Sequence, residues 1–444
     1  AKVRSSRAQS ASLTVFRVAV TPAKKLAAFR LLPHPAGVHL ARLRLRDFRN
    51  YARLDAVFAP GFHLLLGDNA QGKTNLLESV YVASAGRSYR AASDADLVRW
   101  ECPHLRIVVD VERRPSPARL EISYSRDGRR LIRLNGTERI RGAELAAFLN
   151  VVMFTPDDLA LVKGSPGDRR RFLDLEIAQV SPAYRNWVSV YGKTVAQRNA
   201  LLKQVATSPP ARAAELLAPW DDQLTAVGAR VMARRAEVIA DLDRLGRDAH
   251  RRITGTPGSL AVRYLPSVQF EAPDVQAVAS AFRGRLAQIR RVELLRGVTM
   301  CGPHRDDIMF ELDGVNVAAF GSQGQQRSTV LAVKLAEVEF IRAHTGDQPV
   351  LLLDDVLSEL DERRRAHLLA EIEGRYQALV TSVEPGCVEI MPPGASVFTI
   401  CAGQIHTGEV AADAVPSERC AEHDSRQAGL PGASALAGGN AGLE

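Results

Sequence analysis

A glycine-rich loop between two apolar segments restricts the fold of this chain more than any other feature. The run FHLLL at residues 62–66 leads into Gly67, four further residues and then Gly72-Lys73-Thr74, and the apolar-periodic stretch NLLESVYVAS follows. This order predicts a strand, a phosphate-binding loop and a helix, and a chance glycine-rich turn explains it less well. Backbone N–H groups and the helix start can bind phosphate oxygens there. We expect Lys73 to reach the β and γ phosphates of a nucleotide and Thr74 to bind Mg²⁺.

A second motif, VLLLDDVLSELD at residues 350–361, has residues suited to nucleotide hydrolysis. Its apolar run predicts a buried strand that ends in two carboxylates, Asp354 and Asp355. Asp354 would bind in the Mg²⁺ shell, and Asp355 would polarise the attacking water. A buried strand that runs into an acidic helix cap is the alternative for this segment alone, and the phosphate-loop motif disfavours it.

About 280 positions separate these motifs, and the sequence between them changes in character. Alternating apolar and polar runs predict strands in the first part, up to residue 154. Residues 168–252 are rich in Ala, Leu and Arg and predict helices that break at 208–210 and at Pro219, with a second helical run at 275–295. We expect an α/β body that is split by a mostly helical insertion.

A third motif, GSQGQQR at residues 321–327, begins another predicted helix. The turn Ser322-Gln323-Gly324 offers a helix start, which is an anion site, but its own motif holds no phosphate. In ABC-type ATPases such a turn closes on the γ-phosphate held by the other subunit. Helix capping by Ser322 is the local alternative. The position just ahead of the Asp354 strand favours the first interpretation.

The net charge of +8 at pH 7 is unevenly distributed. Residues 1–37 carry seven Lys or Arg and no acid, residues 406–444 carry a net charge of −4, and the body between them carries +5. This balance permits a nucleic-acid partner without identifying one. The arginine-rich runs at 168–172, 283–291 and 363–365 are candidate DNA-binding surfaces, although a solvated helix face explains each of them as well.

Cysteine spacing and hydropathy indicate the cellular compartment in which the protein is expected. The five cysteines lie far apart without a zinc-binding spacing, which favours a reduced, cytoplasmic chain. No apolar run approaches the roughly 18 residues of a membrane helix, so we expect no membrane contact.

Six segments together resemble the RecF family of bacterial recombination-repair ATPases. They are LRLRDFRNY (43–51), the phosphate loop, TPDDLALVKGSPGDRRRFLD (155–174), CGPHRDD (301–307), GSQGQQR (321–327) and LLLDDVLSELD (351–361), and they occur in the family's order. The resemblance covers about residues 39–405. It implies an α/β fold, namely an ABC/SMC-type ATPase head of the phosphate-loop NTPase class with an antiparallel β subdomain and a helical second lobe.

The resemblance also implies an organisation of the chain. A disordered basic extension (1–37) would precede an N-terminal head part with the phosphate loop and β subdomain (38–165). A helical lobe (166–298) would follow, and then a C-terminal head part with the signature turn and metal-binding strand (299–405) and a disordered tail (406–444).

The activity implied by the resemblance is an ATP-dependent homodimer that works as a switch and hydrolyses ATP weakly in the presence of DNA. It would use ATP and Mg²⁺, bind gapped, single-stranded and double-stranded DNA, and help the mediators RecR and RecO to load RecA in the cytoplasm. DNA replication, repair of DNA damage and the SOS response are the implied processes.

Site residues carry over from the family motifs. The nucleotide would be held by Gly67, Asp68, Asn69, Ala70, Gln71, Gly72, Lys73 and Thr74, with Arg49 and Asn50 on its flank and Ser322 and Gly324 acting from a second copy. Thr74 and Asp354 would bind the metal, and Lys73 and Asp355 would be catalytic. Residues 358–361 would form a dimer-contacting turn, and Thr381 and Ser382 would lie where transporter ATPases keep a switch histidine.

The chain departs from general ABC-ATPase patterns at two places. FTPDD at 154–158 occupies the region where a glutamine is usual, and Asp355 stands where many relatives have Glu. The shorter reach of Asp355 predicts poorer water activation and a slow switch. GPHRDD at 302–307 is either a functional motif of the family or a turn that packs the two lobes together, and the sequence favours neither explanation.

Other functions compete with this hypothesis. An ATPase subunit of an ABC transporter would normally lack a helical lobe of this length and would show a fuller signature and a switch histidine. Another SMC-like ATPase is a further alternative. A metal-dependent nuclease fused to such a head is disfavoured because the chain has little room for a nuclease domain beyond residue 405.

Overall fold

The computed structural model describes residues 37–206, 209–255 and 259–407, and the predicted extension up to residue 36 and the tail from residue 408 lie outside them. The strands are β1 (His39–Phe48), β2 (Tyr51–Val57), β3 (Phe62–Leu66), β4 (His104–Glu112), β5 (Ala118–Ser125), β6 (Arg130–Leu134), β7 (Glu138–Arg139), β8 (Val151–Phe154), β9 (Leu260–Leu265), β10 (Asp307–Leu312), β11 (Val315–Asn316), β12 (Val350–Asp354), β13 (Ala378–Ser382), β14 (Ser396–Cys401) and β15 (Gln404–Thr407). The helices are α1 (Lys73–Ala85), α2 (Ala160–Lys163), α3 (Pro166–Val180), α4 (Pro182–Gln204), α5 (Pro210–Thr254), α6 (Val275–Arg296), α7 (Val317–Phe320), α8 (Gln323–Thr345) and α9 (Glu362–Ile372). β15 therefore continues through two residues that the sequence analysis assigned to the disordered tail.

A mostly parallel sheet forms the centre of the molecule. Its order is β15-β14-β3-β13-β12-β8, and only the β14–β15 pair is antiparallel. Every residue of β3, β8, β12 and β13 is buried, because both faces of the sheet are covered and such strands become continuously apolar. The carboxyl ends of β3, β13 and β12 lie side by side, so the loop after β3 meets the ends of the two neighbouring strands.

An antiparallel sheet of order β2-β1-β4-β5-β6-β7 lies against α1. In β1 the buried residues Leu43 and Leu45 alternate with arginines that face outward. Leu43 and Leu45 belong to the same apolar core as Leu76 and Leu77 of α1. One face of this sheet thus covers the helix that follows the phosphate loop, and the other face is open to solvent.

The insertion is not wholly helical. β9, inside the range 166–298 assigned to the helical lobe, pairs antiparallel with β10 from Leu265↔Asp307 to Leu260↔Leu312. Together with β11 these strands form a three-stranded sheet. A strand from the insertion therefore shares a sheet with strands from the segment that follows it.

The helix break expected at Pro219 is wrong. α5 runs without interruption from Pro210 to Thr254 with Pro219 inside it. Proline in a helix removes one hydrogen bond and costs about 3 kcal/mol. Apolar packing on both sides of the proline offsets this cost, since Ala213 and Leu217 precede it in one buried cluster and Leu224 follows it in another.

α5 of the insertion packs against α8 of the segment that follows the insertion. Val238 and Leu242 of α5 belong to one buried cluster with Leu335 and Val338 of α8. The helix that begins at the GSQGQQR motif is therefore packed directly against the longest helix of the insertion.

Candidate functional site

The loop between β3 and α1 requires glycine at both ends. A Cβ atom on Gly67 would lie 2.3 Å from the backbone oxygen of Ile400. Gly72 has a φ of +115°, and a Cβ atom there would lie 2.6 Å from the Asn50 amide. Any larger residue would displace a neighbouring strand or turn, so close approach of the backbone explains the glycines of the motif.

Two neighbouring segments brace the loop. The Asn50 amide donates to the backbone oxygen of Gln71 at 2.9 Å, and the Tyr51 hydroxyl donates to the backbone oxygen of Gly72 at 2.9 Å. From the turn between β14 and β15, the Ala402 N–H donates to the Gln71 side chain at 2.6 Å. Asn50, expected on the flank of the nucleotide, and Gln71 thus fix the loop backbone.

Lys73 points back over the loop. Its Nζ atom donates to the backbone oxygens of Gly67 at 2.6 Å and Asp68 at 2.8 Å. Burial lowers the pKa of Lys73, and the carboxylates of Asp355 and Asp354 oppose that shift. Phosphate oxygens in the loop would offer this buried cation a stronger partner than two carbonyls.

Thr74 and Asp354 meet across 280 positions of sequence. The Thr74 hydroxyl donates to Asp354 Oδ1 at 2.9 Å, and the Thr381 hydroxyl lies 2.9 Å from the same oxygen. The adjacency of β3, β13 and β12 brings these three side chains together. A threonine hydroxyl and a carboxylate are hard oxygen ligands, so the pair fits Mg²⁺, which takes only one or two protein ligands when phosphates and waters supply the rest.

Asp355 follows directly in a left-handed conformation, with a φ of +53°. Its N–H donates to the Thr381 hydroxyl at 2.9 Å, and its backbone oxygen accepts from the Ser358 hydroxyl at 2.7 Å. Burial raises the pKa of Asp355, although nearby Lys73 opposes this. The surrounding turn therefore holds the backbone of Asp355, and burial makes its carboxylate more basic.

These groups open onto a cleft of about 270 Å³. Its lining is formed by Asn69, Ala70, Gly72, Lys73, Thr74, Asn75, Arg90, Asp354, Asp355, Thr381 and Val383. The other predicted residues lie outside this lining: Gly67, Asp68, Gln71, Arg49, Asn50, Ser322 and Gly324. The structure thus brings together eight of the predicted residues and adds Asn75, Arg90 and Val383, which sequence reasoning missed.

Arg90 occupies the place at the cleft that was expected for Arg49. Arg49 binds both oxygens of Glu78, at 2.9 and 3.0 Å, and Arg90 binds one of them at 2.9 Å. Burial would raise the pKa of Glu78, but hydrogen bonds from Arg49, Arg90 and Ser88 lower it overall. The available signal was Glu78 itself, because a carboxylate inside an apolar-periodic helix needs a cationic partner.

Ser322 and Gly324 are not part of the lining of the cleft in their own chain. Ser322 caps α8 by accepting from the Gln325 N–H, while the Gln325 side chain accepts from the Ser322 N–H at 2.8 Å. Arg327 donates to the Glu359 backbone oxygen at 2.8 Å, and Arg364 reaches the Gly324 backbone oxygen at 3.2 Å. The signature turn and the turn at 357–359 are thus held together within one chain.

The GPHRDD segment packs the lobes against each other. Asp307 pairs with Arg169 of α3 at 2.7 Å, and Asp306 accepts from the Ser267 N–H at 2.8 Å. His304 Nδ1 lies 2.8 Å from the Tyr191 hydroxyl of α4, and burial lowers the pKa of His304 to about 4. The lobe-packing explanation of this motif fits these contacts.

Comparison with known proteins identifies the family. A family model described as the RecF/RecN/SMC N terminal domain matches residues 39–404. The DNA replication and repair protein RecF of Halalkalibacterium halodurans is 42% identical over 349 residues, which are 78% of this chain and 92% of that protein. The chain belongs to the RecF family. The RecF protein of Bacillus subtilis is 39% identical over 78% of this chain and 93% of its own length.

Solved RecF structures agree with this assignment. The recombination mediator protein RecF with ATPrS has a TM-score of 0.79 and 29% identity and covers 85% of this chain and all of its own. RecF with ATP has a TM-score of 0.76 at 29% identity, over 84% of this chain and 98% of its own. The predicted α/β ABC/SMC-type head is confirmed. None of the helices in the described ranges combines the length and apolar character that crossing a bilayer requires.

Proposed function

We propose that this chain is an ATP-driven dimer switch that binds DNA in replication and recombinational repair. The observation that carries the proposal is the contact between Thr74 and Asp354, which unites the phosphate loop with the end of β12. Membership of the RecF family and the likeness to RecF structures with ATP and ATPrS support the choice of ligand.

The cleft residues divide the work of binding. Backbone N–H groups of the phosphate loop and the start of α1 bind phosphate oxygens, and Lys73 leaves its carbonyl partners to bind them too. Arg90, held by Glu78, adds a second cation at the rim. Mg²⁺ bound with ATP would neutralise charge on the β and γ phosphates, with Thr74 and Asp354 as its protein ligands.

Hydrolysis depends on Asp355. Its carboxylate accepts a proton from water at the γ-phosphate, and Thr381 fixes the backbone from which it projects. The side chain is one methylene shorter than the Glu of many relatives, so water activation is poor and the ATP-bound state persists. We propose a weak, DNA-stimulated ATPase whose product is a change of state.

A second copy completes the site. Ser322 and Gly324 supply the start of α8 to the γ-phosphate held by the partner, and residues 358–361 contact the partner at the same interface. Because Arg327 ties α8 to Glu359, one nucleotide can order both segments. ATP then favours the closed dimer by binding it more tightly than the open one.

The closed dimer is the form we propose to bind gapped DNA, single- and double-stranded, and to assist RecR and RecO in loading RecA in the cytoplasm. Solved relatives are described as belonging to the RecFOR pathway.

The decisive experiment measures affinity for gapped DNA with and without ATP. ATP should strengthen DNA binding, and steeply weaker binding at higher salt should reveal phosphate contacts. A chain that ignores DNA in both states but is retained by membranes would instead support the transporter hypothesis.

A further inference from the structure

The open face of the antiparallel sheet carries rows of arginine. Arg46 of β1 stands directly opposite Arg53 of β2 on one side and Arg106 of β4 on the other. At the far edge Arg133 of β6 stands opposite Arg139 of β7 on one side and Glu121 of β5 on the other. We call this surface, formed by the outward residues of β1, β2 and β4 to β7, the arginine face.

Such an arrangement is unfavourable in the protein alone. Opposite residues on neighbouring strands lie about 5 Å apart, and like charges there destabilise the pairing. The inward-facing partners in these strands are buried leucines and isoleucines, so the strand register cannot shift to separate the arginines. An anion bound across the row would remove the repulsion.

Acidic residues neutralise only part of the face. Asp55 pairs with Arg42 at 2.6 Å, Asp110 pairs with Arg44 at 2.8 Å and Arg119 at 2.6 Å, and Glu121 pairs with Arg106 at 2.9 Å. Within the described residues, Arg53, Arg133 and Arg139 form no ion pair, and Arg46 has only its sequence neighbour Asp47 at 3.7 Å. The face therefore keeps a surplus of positive charge.

Several arginines of the arginine-rich runs in the sequence are bound within the protein. Arg169 pairs with Asp307, Arg170 donates to the Asp306 backbone oxygen at 2.7 Å, and Arg171 donates to that of Tyr89 at 2.7 Å. On α6, Arg290 pairs with Asp221 at 2.5 Å. These arginines join elements within the protein and are less available to a ligand.

We propose that the arginine face binds the phosphate backbone of double-stranded DNA. The partner follows from charge complementarity: arginines at alternate positions of a strand lie about 7 Å apart, and six strands span about 24 Å, which suits a rigid, regularly charged rod. The outward residues of these strands include Arg, Asp, Glu, Ser, Val, Leu and His104 at the start of β4, but no Phe, Tyr or Trp. Single strands are bound largely by stacking on aromatic rings. This assignment rests on the proposed DNA-binding function.

Arg46→Glu is the most informative variant. It places a carboxylate between Arg53 and Arg106, so sheet pairing improves and the thermal midpoint should stay equal or rise. ATP affinity should not change, because Arg46 lies outside the cleft. Affinity for a short duplex should fall about tenfold or more, and Arg46→Ala should reduce the slope of log K against log salt by about one.

Arg291→Glu on the exposed side of α6 is the matched control. It changes the net charge equally and should leave duplex affinity within a factor of about two of wild type. Equal losses in both variants would show a general charge effect and overturn the assignment.

Titration with a single strand of the same length and with polyglutamate tests the partner. The variant should lose more affinity for the duplex than for either competitor, and an equal or larger loss for a competitor would overturn the proposal. A folded Arg46→Glu protein that binds duplex like wild type would refute the surface and leave the proposed function standing. A wild-type chain that binds no DNA would refute both.

Discussion

Asp355 combines a constrained backbone with a buried carboxylate. Its left-handed conformation is tolerated because Thr381 and Ser358 hold the peptide groups on either side. Burial raises the pKa of this carboxylate, so it gains a proton at a higher pH than an ordinary aspartate. On acidification this base therefore loses its activity at a higher pH than an ordinary aspartate would.

Asp355→Asn should therefore keep ATP binding and lose hydrolysis by about 100-fold, because the amide cannot accept the proton. The ATP-bound dimer should accumulate, as single-turnover assays and light scattering can show. In wild type, turnover should decline as pH falls through the raised pKa of Asp355. Asp127→Asn, on the exposed β5–β6 turn, is the control. Unchanged turnover in Asp355→Asn would assign the base to another residue.

Lys73→Ala should weaken ATP binding by about 100-fold, since a charge-assisted hydrogen bond contributes about 1.5–3 kcal/mol and Lys73 can make more than one. Isothermal titration is the measurement. Lys193→Ala, on the exposed side of α4, should bind normally. Near-normal affinity in a folded Lys73→Ala protein would remove the phosphate-loop assignment.

Among the elements, those with a local signal were predictable. The strand before the phosphate loop, the helix after it and the buried strand that ends at Asp354 follow from apolar runs and glycine positions. β9 was missed because LAVRYL is short and lies between helical runs. The continuity of α5 through Pro219 was missed because proline usually ends a helix. Here the packing on both sides of the proline outweighs that local preference.

The signature turn is the element whose role depends on a second copy. Ser322→Arg should leave ATP affinity of the monomer near wild type and abolish dimerisation, ATPase activity and ATP-stimulated DNA binding together. Ser322→Ala removes the helix cap at a cost of about 1 kcal/mol without added bulk, and it should still dimerise.

Mixing Ser322→Arg with Lys73→Ala protein sharpens this test. A mixed dimer pairs the intact loop of one chain with the intact turn of the other, so one composite site survives. Partial activity that neither variant shows alone is the expected result. An ATP-dependent dimer of Ser322→Arg protein by itself would reduce the turn to a helix cap.

The GPHRDD turn should make stability depend on pH through His304. Burial lowers the pKa of this side chain to about 4, below the ordinary value of 6.5, so the folded state binds fewer protons than the unfolded state between these values. The stability that neutral His304 contributes is fully present above pH 6.5 and is lost as the pH drops towards 4. The free energy of unfolding, measured with denaturant, should therefore fall by about 2 kcal/mol between pH 7 and pH 5.

His304→Gln should remove most of that pH-dependent loss, whereas His104→Gln, on the exposed start of β4, should keep it. An identical pH profile in wild type and His304→Gln would show that other groups govern acid unfolding.

At the scale of the whole molecule, the features that could not be predicted from the sequence are those formed by residues from distant parts of the chain. Arg46, Arg53 and Arg106 belong to three different strands and become a row only through strand register. Arg90 is held at the cleft by its contacts with Glu78 and Asn75. The phosphate loop and Asp354 could be assigned to one site from the sequence, because the residues of each motif are typical of nucleotide binding. Their contact depends on the strand order, which no local sequence pattern predicts.

The contact of Thr74 with Asp354 also determines when the site can form during translation. At roughly 5–20 residues per second, a ribosome needs about 15–55 s to extend the chain from the phosphate loop to the end of β12. During that interval the loop lacks the carboxylate and the neighbouring strands that complete it. Nascent chains arrested before residue 350 should therefore not retain a labelled ATP analogue, whereas chains whose β13 has left the exit tunnel should. The cell would thus be spared half-made proteins that respond to a nucleotide always present around the ribosome.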